Sequence, residues 1–146
     1  MKRVSGWAVG LWAVATLAGC ATLHRPPQLA DLQVVPAELK PGDSAMVTVR
    51  VSDRHEIIDR VEGVVKEDPR MKFKLRDDGK QPHDAGAGDG VWSLKISVPF
   101  QAPPGRFTLE FTAYNSKGEP VLVRSREGGV VPLTASTTVE IRYPQQ

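Results

Sequence analysis

The chain has 146 residues, a length that suits one domain with a core of ordinary size and is short for two. Its 19 Lys+Arg against 17 Asp+Glu give a formal net charge of +2, but residues 1–19 hold two of the basic residues and none of the acidic ones. The remainder is neutral, which sets nucleic acid aside as a partner, because that partner calls for a one-sided basic surface. The one cysteine, Cys20, excludes an internal disulfide.

The chain opens with MKRVSGWAVGLWAVATLAGC. Two basic residues, an apolar stretch and small residues before Cys20 form the layout of a secretory signal. Gly6 to Ala18 is 13 residues, shorter than the roughly 20 that a membrane-spanning helix needs. Leu17-Ala18-Gly19-Cys20 resembles the lipobox of bacterial lipoproteins. The resemblance implies a signal peptide over 1–19, cleaved by signal peptidase II, and lipidation of Cys20 with diacylglyceryl and further acyl chains such as palmitate. Multiple chains give stable membrane anchoring where one does not. Ala21 stands where, in lipoproteins of Gram-negative bacteria, an aspartate would favour the inner membrane, so the expected address is the cell envelope, on the periplasmic side of the outer membrane. Residues 20–30, with Pro26-Pro27, read as a stiffened tether, and 31–146 as the folded domain.

From there the dominant period is two. Val47, Val49 and Val51 alternate with polar neighbours, as do Met71, Phe73 and Leu75. Trp92, Leu94, Ile96 and Val98 do the same, followed by Phe107, Leu109, Phe111 and Ala113, and by Val139, Ile141 and Tyr143. Each run predicts a strand with one apolar face. Less regular strands are expected at Leu32–Val35, Ile57–Val65 and Val121–Val123, with turns at PGD, PPG and NSKGEP. Helical spacing never persists. An all-β fold follows, an immunoglobulin-like antiparallel β-sandwich of about seven to eight strands.

PAELKPGDSAMVTVRVSD, LRDDGKQPHDAGAGDGVWSLKISVP and PPGRFTLEFTAYNSKGEP resemble, in that order, bacterial extracytoplasmic immunoglobulin-like or fibronectin-III-like domains with a "DDG, then D, then GDG-x-aromatic" signature. Such domains are usually accessory modules, so the resemblance implies fold and compartment more than activity.

Between Leu75 and Val91 lie 15 residues without apolar pattern, long for a connection inside a domain. Asp77, Asp78, Asp84 and Asp89 could supply hard oxygen ligands to Ca²⁺, with nearby glycines letting carbonyls approach. The spacing matches no EF-hand. The alternative is a pair of tight turns at Asp78-Gly79 and Asp89-Gly90, with Asp side chains accepting backbone N–H bonds. His83 beside Asp84 has the look of a base with its orienting carboxylate, but no nucleophile accompanies it. Asp53, His55, Glu56 and Asp59 read as a solvated loop. Lys72, Lys74 and Arg76 share one outward strand face, either against anionic headgroups or as guards of a sheet edge. Phe100 and Tyr114 are the two aromatics left over from the inward faces, too few for a glycan platform, and Val123–Ser136 reads as a loose segment with Val130-Val131 exposed.

These features lead to an expected lipid-anchored lipoprotein of the cell envelope, with no catalytic residues and no required cofactor. Its immunoglobulin-like module would act through contacts with an envelope protein or as a structural accessory. A Ca²⁺-dependent binding module is the alternative, and a hydrolase built on His83 the weakest reading.

Overall fold

The computed structural model describes residues 25–80 and 86–144. The lipobox, Cys20, His83 and Asp84 lie outside them. Among the described residues there are ten strands and no helix: β1 (Gln28–Val35), β2 (Glu38–Leu39), β3 (Ser44–Ser52), β4 (Arg60–Val65), β5 (Asp68–Leu75), β6 (Val91–Ser97), β7 (Gly105–Tyr114), β8 (Leu122–Arg124), β9 (Val130–Pro132) and β10 (Thr134–Ile141).

Three strands pair in the order β1-β3-β6 and five in the order β2-β10-β7-β4-β5, while β8 and β9 form a separate hairpin. The chain is thus an all-β sandwich. Pairing is antiparallel except between β10 and β2, which run parallel. The strand count exceeds the expected seven to eight for a physical reason. β2 is two residues long, too short to display any alternation, and β9 sits in a segment whose exposed apolar pair carries no period. β1 also starts at Gln28 rather than Leu32, because a bulge between Ala30 and Gln33 interrupts its alternation. At that bulge Asp31 takes a left-handed backbone, φ 51°.

The inward positions meet as the alternation predicts. Val34, Val47 and Val49 of the smaller sheet face Val61, Val65, Leu75, Leu109, Phe111, Ala113, Val139 and Ile141 of the larger one, all buried. β7 lies at the centre of the larger sheet, and its Phe111 is fully buried. Gly63 of β4 stands directly opposite Phe111 on one side and Phe73 of β5 on the other. A Cβ at Gly63 would overlap the Phe111 ring. The glycine is there for space, and the ring lies across the gap that it leaves.

Two positions depart from simple alternation. Ser93, on the face expected to be wet, is fully buried, because Arg76 crosses from the end of β5 to pair with it. The Ser93 N–H donates to the Arg76 carbonyl at 2.8 Å, and the Arg76 N–H donates to the Ser93 carbonyl at 3.1 Å. Tyr143, expected inward, is 48% exposed. It lies past the last residue of β10, where pairing no longer dictates its direction, and its hydroxyl donates to the Ala102 carbonyl at 2.8 Å.

Gly63→Ala is expected to cost about 1–3 kcal/mol through overpacking, read as a lowered urea midpoint with an unchanged slope. Pairing it with Phe111→Leu should recover part of the loss, since the two side chains compete for one volume.

Candidate functional site

The described parts of the aspartate-rich connection, 76–80 and 86–90, are held by side-chain-to-backbone hydrogen bonds. Asp77 bridges its two ends: Oδ1 accepts the Gly88 N–H at 2.7 Å and Oδ2 the Gly90 N–H at 3.1 Å. Asp78 Oδ1 accepts the Lys80 N–H at 3.1 Å, and Asp89 Oδ1 accepts the Val91 N–H at 2.8 Å. Gly79, Gly88 and Gly90 have φ of 67°, 76° and 83°, a backbone that glycine adopts without cost. The Val51 N–H donates to the Gly90 carbonyl at 2.7 Å, tying the loop to the smaller sheet. So three of the four candidate Ca²⁺ ligands, Asp77, Asp78 and Asp89, turn carboxylate oxygens onto the backbone. Asp84 is outside the described residues, and among the described residues no group of three or more His, Cys, Asp or Glu is placed to hold a metal ion.

The other polar segments resolve in the same manner. Asp53 Oδ2 accepts the Ile58 N–H at 2.5 Å, and the Asp59 N–H donates to the Tyr114 carbonyl at 2.8 Å, closing the 53–59 loop over buried Ile58. Arg60 lies over the Tyr114 ring, 5.3 Å from its centre. On the outer edge strand β5, Lys72 and Lys74 are exposed, while Arg70 pairs with Asp68 at 2.8 Å and Lys66 with Glu110 at 3.3 Å. The positive stretch is therefore partly neutralised by its own neighbours. The Val123–Ser136 segment carries the β8–β9 hairpin, with Leu122 and Val130 largely exposed.

A concave feature of a different kind lies between strands of the two sheets. An isolated bridge between Arg76 and Ser93 joins the end of β5 to the start of β6, and β5 and β6 otherwise belong to different sheets. Between them opens a cleft of about 370 Å³. Its walls are Met71 and Phe73 from β5, Ile96 from β6 and Phe107 from β7, with Val139 and Ile141 of β10 beneath. The remaining rim is the 98–103 loop. That loop is fastened at three points: the Gly42 N–H donates to the Val98 carbonyl at 3.0 Å, the Val98 N–H to the Asp43 carbonyl at 2.8 Å, and Tyr143 reaches Ala102. Phe100 lies against Gly42, whose φ of 87° and absent Cβ admit the ring.

Polar groups of the cleft are few: Glu67, Asp68, Ser97 and Gln101. Glu67 accepts the Thr108 N–H at 2.9 Å, and that bond, first among several contacts, holds its carboxyl below the ordinary Glu value. This stabilising contact is complete above the unfolded Glu range and is lost as pH falls through the lowered folded value. Asp68 is likewise held down, first by its hydrogen bonds with Arg70.

Sequence reasoning placed Met71, Phe73, Ile96 and Phe107 on inward faces but could not see the cleft. The alternation tells which side of a strand is apolar, whereas the gap arises because two such strands separate. No signal in the sequence distinguishes an inward residue that meets a partner from one that lines an opening.

No family model matches the chain, and no curated protein matches it. Among solved structures it is similar to the Pseudomonas fluorescens alkylpurine DNA glycosylase AlkC bound to DNA containing an abasic site analog, with a TM-score of 0.47 and 16% identity. The match covers 80% of this chain and 30% of that one, so the chain spans less than a third of that protein's length. The expected function was a lipid-anchored, non-catalytic module with an envelope protein and a membrane as partners and nucleic acid set aside. It is at odds with a neighbour that is a DNA-bound enzyme, and it is withdrawn together with its Ca²⁺-dependent alternative. At this TM-score the likeness assigns no function in their place.

Asp77→Ala is expected to cost about 1–2 kcal/mol, since two backbone donors lose a charged acceptor. Amide exchange should accelerate at Gly88 and Gly90 ahead of the core strands, and Asp77→Asn should give a smaller effect.

Proposed function

We propose that the domain binds a small amphiphilic molecule by taking its aliphatic chain into the cleft between β5 and β6. The observation that carries this reading is the cleft itself. Its volume of about 370 Å³ falls in the range of ligand sites, about 300–1,000 Å³. Its walls of Met71, Phe73, Ile96, Phe107 and Ile141 favour an apolar occupant at roughly 25 cal/mol for each Å² removed from water. Met71, Phe73, Ile96 and Phe107 are only partly buried, so they retain apolar surface for a ligand to cover.

The shape favours a chain entering end-on. The two Arg76–Ser93 backbone hydrogen bonds join β5 to β6 beyond the Phe73 wall, and the polar groups Glu67, Asp68 and Gln101 belong to the β4–β5 turn, the start of β5 and the 98–103 loop, at the opposite end of β5. A molecule with an apolar tail and a polar head matches that gradient. Pairing of a further strand along the β5 edge is disfavoured by Pro69 and the exposed Lys72 and Lys74.

The test uses the neutral apolar fluorophore N-phenyl-1-naphthylamine, displaced by single-chain amphiphiles below their micellar concentrations. Saturable binding is expected, with competition that strengthens as the chain lengthens. Ala102→Phe, which fills the cleft from its loop wall, is expected to weaken binding about ten-fold or more, the loss of about 1.4 kcal/mol or greater, without lowering the melting temperature. Absence of saturable binding by the wild-type chain, or an Ala102→Phe variant that binds as well, would discard the proposal.

A further inference from the structure

We infer that the cleft selects amphiphiles with a cationic head over those with a carboxylate or phosphate head; this rests on the aliphatic-chain reading of the same cleft. The inference follows from charge at the mouth. The ionisable residues lining the cleft are Glu67 and Asp68, and no Lys, Arg or His lines it among the described residues. Both acids sit where the β4–β5 turn leads into β5, so a head group left outside by an inserted tail lies beside them.

The two carboxylates differ in how far they are already satisfied. Asp68 spends both oxygens on Arg70, at 2.8 and 3.1 Å, and so presents little net charge. Glu67 accepts the Thr108 N–H and has no bidentate cationic partner of the kind that Asp68 has in Arg70, the Lys66 charge being the cation that acts on it. The adjacent Lys66 is turned to Glu110 instead, 3.3 Å away on β7. Glu67 is therefore the less compensated anion of the two, with only the more distant Lys66 charge acting on it, and it is ionised at neutral pH. An ammonium head brought beside it gains a partner, and a carboxylate or phosphate head meets a like charge.

The expected preference is modest because the mouth is wet. An exposed ion pair contributes up to about 1 kcal/mol, which is about five-fold in affinity. Salt weakens it, since the Debye length shrinks from about 30 Å at 0.01 M to about 8 Å at 0.15 M.

The experiment compares three dodecyl compounds as displacers of N-phenyl-1-naphthylamine from the full chain: dodecyltrimethylammonium, dodecyl maltoside and dodecanoate, each below its micellar concentration. The expected order places the ammonium compound about five-fold ahead of dodecanoate at low salt, with the gap narrowing as salt is added. Glu67→Gln keeps an acceptor for the Thr108 N–H and removes the charge, and it is expected to bring the ratio of the two close to one. Equal or tighter binding of dodecanoate by the wild-type chain overturns the head-group selection while leaving the chain-binding reading in place, as does a ratio that Glu67→Gln does not change. Failure of all three compounds to displace the probe overturns both.

Discussion

Two backbone hydrogen bonds between Arg76 and Ser93 hold the free edges of the two sheets together at one end. Without them β5 would be only the last strand of the five-stranded sheet, and β6 only the last strand of the three-stranded one. With them the edges of the two sheets are joined at that point, and the cleft is lined by β5 and β6 residues on the side away from it. Ser93 is buried at this junction, and the wall residues Met71, Phe73 and Ile96 beyond it are partly uncovered.

The aspartate-glycine connection acts on the same junction. It leaves β5 after Leu75, at Arg76, and enters β6 at Val91, two residues before Ser93, so its two ends must come close for the bridge to form. Asp77 supplies that closure by accepting the Gly88 and Gly90 N–H groups from the far end of the loop. A carboxylate accepting two backbone donors makes charge-assisted bonds, stronger than neutral ones. Asp77, Asp78 and Asp89 thus share a structural task, holding the described ends of the loop beside the junction.

At the open pole, residues distant in the sequence share one boundary. The β4–β5 turn brings Glu67 to Thr108 of β7, and the 98–103 loop is held by Gly42, Asp43 and Tyr143. These contacts shape the mouth with polar and backbone bonds while the interior stays apolar. The combination gives an opening whose rim is fixed and whose wall is water-averse, a favourable arrangement for holding a chain whose head remains in solvent.

What belongs to single strands and turns was legible in the residues alone. Alternation at Val47–Val51, Phe107–Ala113 and Val139–Ile141 specified strands and their apolar faces, and Asp78-Gly79, Pro41-Gly42 and Lys117-Gly118 marked turns, because both are consequences of the local backbone. Tertiary structure alone decided the remainder: that Gly63 makes room for Phe111, that Tyr143 clasps Ala102 instead of joining the core, that Ser93 is covered, and that β5 and β6 part to leave a cleft. Each of these depends on which strands become neighbours and at what separation, a matter settled by packing between residues far apart in the chain, to which the period of any one segment is blind.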